Sequence, residues 1–152
     1  MAKFNLDRGT LPMFIDRVVR LRADTPRLWG KMDAAHMVQH LVFMTETSLG
    51  LREVPDRSKP ILRVFVWWFA FCWWTTWPRG KAKSFDFALP APVGDFASQQ
   101  AALIRLMEQF VTRLEADPAR RTLSPLLGMI TLKQWSRAHG VHNDHHLRQF
   151  GM

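Results

Sequence analysis

Apolar residues recur at helical spacing in four stretches of the chain, and each stretch follows a polar residue of a kind that caps helix N-termini. The second stretch is predicted to end at Gly50 and the third at Asp117, because glycine and the position before proline commonly end helices. The fourth is predicted to open with a capping box and to run through Arg148. The predicted N-caps are Thr10, Asp33, Asp95 and Thr131.

The region between the second and third predicted helices has a different pattern. Residues 50–95 contain five prolines and no long amphipathic repeat, so they are predicted to form a long crossover. Residues 120–130, RRTLSPLLGMI, show no strand–turn–strand signal and are predicted to be a loop. Four helices with one long crossover, between helices 2 and 3, form a bundle. We therefore predict an all-α four-helix bundle in which residues 1–152 make a single domain.

The tryptophan-rich segment, residues 64–78, is dense in large apolar side chains. It holds five of the seven tryptophans and no charged residue, and it is bounded by Arg63 and Arg79. As a helix it would be about 21 Å long, whereas a bilayer core is about 30 Å thick, so it is not predicted to span a membrane. It either is buried, covering the core or lining a pocket, or contacts a second copy, another partner or a membrane surface. The candidate pocket residues are Trp67, Trp68, Trp73 and Trp74.

Composition limits the classes of function. The net charge is +8, but the arginines are dispersed and no zinc finger or compact basic segment is present, so nucleic-acid binding is not predicted. Cys72 is the only cysteine, which excludes an intrachain disulfide and a CxxC motif. The first ten residues, MAKFNLDRGT, lack the apolar stretch of a secretory signal. A reduced, cytoplasmic setting is therefore expected.

Four of the six histidines fall within residues 139–146, on the fourth predicted helix. His142 and His146 are four residues apart, the spacing with which two imidazoles on one helix bind a single metal. They share one stripe of the helix with a tryptophan, which indicates that the stripe faces the interior. At about 100° per residue, the stripe consists of Trp135, His139, His142, His146 and Gln149.

The second predicted helix supplies a candidate third ligand. His40 lies beside Met37 and Leu41 on the inward face of this helix, and His36 lies one turn earlier, near the edge of that face. With the histidine pair of the fourth helix, His40 would complete a three-histidine site that leaves positions open for water or substrate. The alternative is a set of hydrogen-bonded core histidines without a metal. Burial of several imidazoles without partners is unfavourable, and a bound metal would remove that cost.

Two motifs resemble the DinB/YfiT-like superfamily. They are WGKMDAAHMVQHL, residues 29–41, and GMITLKQWSRAHGVHNDHHLRQFG, residues 128–151. The ending HNDHHLRQFG, with a tryptophan seven residues before its first histidine, is similar to a branch of small bacterial proteins known only as a domain of unknown function. The resemblance extends over essentially the whole chain and is weakest in the middle third. Ser124 departs from that branch, in which histidine is common at this position.

The resemblance implies a four-helix bundle, often dimeric, with a divalent metal, zinc or nickel, bound by three histidines. One ligand comes from the second helix and corresponds to His40, and two come from the last helix as HxxxH and correspond to His142 and His146. His36 replaces a residue that is not usually a ligand and is a candidate for an additional one. The characterised members resemble one another as metal-dependent enzymes that join bacillithiol, mycothiol or glutathione to electrophiles.

Three functions are open at this point. The first is metal-dependent thiol S-transfer, with glutathione or a similar thiol and a small electrophile as substrates. The second is metal-dependent hydrolysis, for which Asp16 and Glu46 are candidate general bases. The third is a non-enzymatic bundle that uses residues 64–78 to contact a second copy, a partner or a membrane surface. The resemblance also leads us to expect a homodimer.

Overall fold

The computed structural model describes residues 5–73, 76–77, 79 and 90–152, without the side chain of Ala70. Over these residues it contains five α-helices, one π-helix and one two-stranded antiparallel sheet. In chain order the elements are α1 (Leu11–Val19), α2 (Ala34–Leu49), α3 (Pro60–Trp67), the π-helix (Trp68–Trp73), α4 (Phe96–Ala116), β1 (Arg121–Ser124), β2 (Gly128–Thr131) and α5 (Leu132–Arg148).

Four helices, α1, α2, α4 and α5, lie where the periodicity predicts them, and three of them begin with the expected caps. The side chains of Asp33 and Asp95 accept hydrogen bonds from the backbone N–H three residues on, which caps α2 and α4. Thr131 and Gln134 form the predicted capping box at the start of α5. Gly50 ends α2 with a φ of 72°, a left-handed conformation that glycine adopts without strain.

The prediction of an all-α four-helix bundle is wrong. Residues 121–131 form an antiparallel β-hairpin rather than a loop, so the described residues combine five α-helices and a π-helix with a small sheet. Strands are usually recognised by alternating apolar, buried and polar, exposed residues. These two strands lack that pattern, because Thr122 and Ser124 are buried while Met129 is exposed. The Thr122 hydroxyl donates to the Ser48 carbonyl at 2.8 Å, which satisfies this buried pair and ties the hairpin to the end of α2.

The predicted crossover also contains a helix. α3 begins at Pro60, a residue favoured in the first helical turn because its fixed φ suits a helix and its missing N–H would be unpaired there. Arg63 anchors α3, since its guanidinium donates to the Ser58 hydroxyl at 2.6 and 2.9 Å. The same guanidinium lies so close to Gly128 that a Cβ there would be 2.6 Å from the Arg63 Cζ. Over the described residues, no helix is both long and apolar enough to cross a membrane.

The core forms where α1, α2, α4 and α5 pack together. Met37 and Leu41 on α2 are completely buried, as are Leu103 and Met107 on α4, and Trp135 on α5 is nearly so. The packing of α2 and α5 in this core brings together the two helix faces that carry the candidate ligands.

Candidate metal centre

Three histidines that are distant in sequence meet between α2 and α5. His40 Nε2 lies 3.0 Å from His142 Nε2, and His146 Nε2 lies 3.1 Å from the same atom. One ring nitrogen from each of the three lies within 4.8 Å of the others. His142 and His146 are one turn apart on α5, so their rings leave the helix on the same side. We call these three residues the histidine cluster.

The chemistry of these nitrogens fits a shared cation better than a hydrogen-bond network. A neutral imidazole nitrogen carries either one proton or one lone pair, so the Nε2 of His142 makes at most one good hydrogen bond. Two other ring nitrogens nevertheless approach it, at 3.0 and 3.1 Å. In a tetrahedral site, two nitrogens that each bind zinc at about 2.0–2.1 Å are about 3.3–3.4 Å apart. The two distances to His142 Nε2 are close to that separation, so the histidine cluster suits one shared ion.

Burial keeps the α5 histidines of the cluster neutral. His40 and His146 are buried, and His142 is partly buried. Desolvation lowers the pKa of both His142 and His146 well below the usual value, and neighbouring imidazoles lower both further. A neutral imidazole has the lone pair that a metal requires. Both side chains are therefore ready to bind a cation at neutral pH without first releasing a proton.

Gln149 fixes the orientation of His146. Its side-chain oxygen accepts a hydrogen bond from His146 Nδ1 at 2.8 Å, so the proton is on Nδ1 and the Nε2 lone pair faces the cluster. The backbone oxygen of Gln149 accepts from the Leu28 N–H at 2.6 Å. Its side-chain Nε2 lies over Gly30, where an added Cβ would be only 2.8 Å away. The sequence places Gln149 on the histidine stripe, but its role is evident only from these contacts.

Aromatic rings border the cluster on the side of His142. The ring of Trp77 lies 5.9 Å from that of His142 and 5.4 Å from that of His145, measured between centroids. Phe71 packs against Trp77 at 5.5 Å, and Trp29 packs edge-on against His145 at 4.9 Å. Sequence reasoning did not assign Trp29 or Trp77 to the site, because neither lies in a regular helix whose periodicity would orient it.

Of the four tryptophans predicted to line a pocket, the three that the structure describes do not share one environment. Trp67 is half-buried and packs against Phe71, with ring centroids 5.4 Å apart. Trp68 and Trp73 are exposed and pack against each other at 5.2 Å. Trp74 lies outside the described residues. Trp67 therefore faces the core, whereas Trp68 and Trp73 face outward.

The other histidines have separate surroundings. His36 is exposed, its Nδ1 lies 2.9 Å from the Asp33 carboxylate, and it is not part of the histidine cluster. His139 is buried, with its Nε2 2.8 Å from the Ser48 hydroxyl, and desolvation lowers its pKa to about 3. His145 is also buried, and desolvation lowers its pKa to about 4. Histidines that are close in sequence on α5 therefore have different surroundings in the structure.

The two carboxylates considered as general bases form ion pairs with arginines. Asp16 lies 3.2 Å from Arg20, and Glu46 lies 2.6 Å from Arg52. Within the part of the chain that the structure describes, no carboxylate or thiol joins the histidine cluster. The centre therefore offers three imidazole nitrogens, a ligand set that suits zinc or nickel better than magnesium or calcium.

The fold and this centre together define a mostly helical domain with a buried histidine cluster between two of its helices. The chain belongs to the family described as Protein of unknown function (DUF1569), whose family model matches residues 2–151. No curated protein and no solved structure matches the chain. Because the family description names no activity, the function has to be argued from the chemistry of the centre.

Proposed function

We propose that His40, His142 and His146 bind one divalent metal, zinc or nickel, and that the protein is a metal-dependent thiol S-transferase of the DinB/YfiT-like kind that its motifs resemble. The observation that supports the metal is the convergence of three Nε2 atoms, at 3.0 and 3.1 Å from the central one. A set of three protein ligands with a position left open is typical of catalytic sites, whereas structural zinc sites have four.

A thiol is a better candidate than water for the nucleophile. A divalent metal supplies Lewis acidity, which lowers the pKa of a thiol or a water molecule beside it. Hydrolysis at such a site also uses a general base. The two candidates, Asp16 and Glu46, both form ion pairs with arginines. A thiol has less need of a base, since its pKa is already about 8.5. We therefore favour glutathione or a similar small thiol over hydrolysis.

The side chains around the cluster support this role. Gln149 holds His146 with its Nε2 lone pair directed toward the other two histidines. Trp77 and Phe71 give the His142 side an apolar border. Such a border limits access of water and suits an apolar electrophile, in keeping with the mostly apolar lining of small-molecule sites.

The metal is tested by elemental mass spectrometry of untagged protein, after incubation with zinc or nickel and removal of the excess ion. We expect about one ion per chain in the wild type, the stoichiometry of a mononuclear site. His40→Ala, His142→Ala and His146→Ala should each lose it. His36→Ala is the matched control, because it removes an exposed imidazole outside the cluster and should retain the ion. A wild type without metal would refute the whole proposal.

Thiol transfer is tested separately with the metal-loaded protein, glutathione and chlorodinitrobenzene, whose conjugate is followed by absorbance. We expect turnover by the wild type and His36→Ala, and none by His142→Ala. A wild type that binds its metal but conjugates neither glutathione nor any other small thiol would retain the metal site and refute the transferase.

A further inference from the structure

α3 and the π-helix present an apolar face whose side chains are between 47% and 83% exposed. Its first three members recur at i, i+3 and i+4 on one stripe of α3, and the fourth, at i+7, begins the π-helix. The π-helix continues the stripe, because its i to i+5 spacing brings the ring of Trp73 against that of Trp68, with centroids 5.2 Å apart. The apolar face consists of Ile61, Val64, Phe65, Trp68, Phe69 and Trp73.

The opposite side of these helices is attached to the core, so the apolar face is held outward. Phe71 is buried, and Arg137 donates to its backbone carbonyl at 2.5 Å. Val66 and Trp67 are partly buried against the core. The Arg63 guanidinium lies against Gly128 at the start of β2, where an added Cβ would be 2.6 Å from its Cζ. The apolar face therefore belongs to a docked element of the fold and is still left open to solvent.

The charges that flank the apolar face in sequence are all positive. From residue 57 to residue 85 the chain has six lysines and arginines and no acidic residue. Arg57, Lys59 and Arg79 are exposed, while Arg63 is paired with Asp56 at the edge of this stretch. Tryptophan and phenylalanine bordered by lysine and arginine are typical of segments that lie in the headgroup region of a membrane with anionic lipids.

We propose that the apolar face docks on the surface of a bilayer that contains anionic phospholipids, without crossing it. A second copy of the chain is the main alternative occupant. A two-fold interface uses the same surface of both chains, so it would bring together two sets of exposed positive charges, those of Arg57, Lys59 and Arg79. An anionic lipid surface instead attracts those charges while the aromatic side chains enter the headgroup layer. The proposal does not depend on the metal.

The test is cosedimentation with vesicles, either of phosphatidylcholine alone or of an equal mixture with phosphatidylglycerol. We expect binding to the mixed vesicles that weakens as salt is added, because salt screens the lipid charge. Phe65→Glu and Trp68→Glu should each lower the partition coefficient at least about tenfold, since a large apolar side chain no longer leaves water. Val93→Glu is the matched control, because Val93 is 75% exposed, lies outside the apolar face and undergoes the same change in charge.

A second variant tests the charge without changing the apolar side chains. Arg57→Glu combined with Lys59→Glu should lower binding to the mixed vesicles at least about tenfold. Circular dichroism establishes that each variant is folded. Equal partition of the wild type and Trp68→Glu would overturn the proposal, as would equal binding to vesicles with and without phosphatidylglycerol. A dimer that Trp68→Glu dissociates, in a protein that binds neither vesicle, would assign the apolar face to a second copy instead.

Discussion

α3 and α5 reverse the usual relation between composition and burial. α3 has a single charged residue, Arg63, among its 8 residues, yet none of the eight is buried. α5 has four histidines and four other charged or basic side chains among its 17 residues, yet eleven of them are buried. From apolar content alone, α3 would be expected in the core and α5 at the surface.

The difference shows that burial depends on the partners that the fold provides. Several polar side chains of α5 have specific partners in the interior, among them His139 with Ser48, His146 with Gln149 and Asp144 with Arg17. The buried amide of Asn143 is an exception, since it has no hydrogen-bond partner among the described residues. The exposed side chains of α3 need no such partner, and the described part of the chain leaves them exposed. In both helices the departure from the usual rule occurs where we propose a function, a metal in one and a membrane surface in the other.

Replacement of one tryptophan in each region should produce the largest difference in the free energy of unfolding. Trp135 on α5 is buried and stacks on His139, with ring centroids 5.3 Å apart, whereas Trp68 is 53% exposed. Trp135→Ala should lower the free energy of unfolding by about 3–5 kcal/mol, since it removes buried surface and leaves a cavity. Trp68→Ala should change it by less than about 0.5 kcal/mol. Urea unfolding followed by circular dichroism measures both, and equal losses would show that the two residues have similar surroundings.

A smaller effect should follow from loss of a single hydrogen bond inside the α5 region. Gln149→Leu removes the acceptor for His146 Nδ1 and should weaken zinc binding about 10–100-fold, the usual cost of losing a group that orients a ligand. Gly30→Ala should also weaken it, because the added Cβ would displace the Gln149 amide. Competition with a chelator gives the affinities.

Gln149→Glu is the matched control for this prediction, because it keeps an acceptor at the same position and should bind zinc nearly as well as the wild type. The unfolding free energy of the metal-free proteins separates a loss of orientation from a general loss of stability. If Gln149→Leu bound zinc as tightly as the wild type, the orienting role of Gln149 would be wrong.

Helix positions could be predicted from sequence because capping residues mark where helices begin. Asp33, Asp95 and Thr131 each precede an apolar repeat long enough to be recognised, and each makes the predicted cap. The hairpin could not be predicted, because its buried Thr122 and Ser124 are polar. Their burial depends on a tertiary contact, the bond from Thr122 to the end of α2, which no local pattern contains.

The same limit applies to the candidate site. Spacing alone places His142 and His146 on one side of a helix and His40 on an inward face. That the three nitrogens meet depends on how α2 packs against α5, which spacing does not determine. Gly30 and Trp77 lie in irregular backbone, where no period orients a residue, and so their contacts with the site are found only in the structure.

The smallest predicted effect is a dependence of stability on pH that should be confined to the buried region. Desolvation lowers the pKa of His139 to about 3 in the folded protein, compared with about 6.5 in the unfolded chain. Between these values the unfolded chain binds a proton that the folded one does not. The stability associated with neutral His139 is therefore fully present above about pH 6.5 and is lost as the pH falls toward 3, by about 1.4 kcal/mol per pH unit.

Urea unfolding of metal-free wild type and His139→Leu, at about pH 7.5 and about pH 5.5, measures this effect. The difference in unfolding free energy between the two proteins should fall by about 1.4 kcal/mol at the lower pH, because only the wild type must keep His139 unprotonated. Trp68→Ala is the control from the exposed region, since its side chain does not titrate, and its difference from the wild type should be the same at both pH values. A His139 difference that did not change with pH would mean that water reaches this side chain. The contrast between buried side chains on α5 and exposed side chains on α3 would then no longer hold at His139.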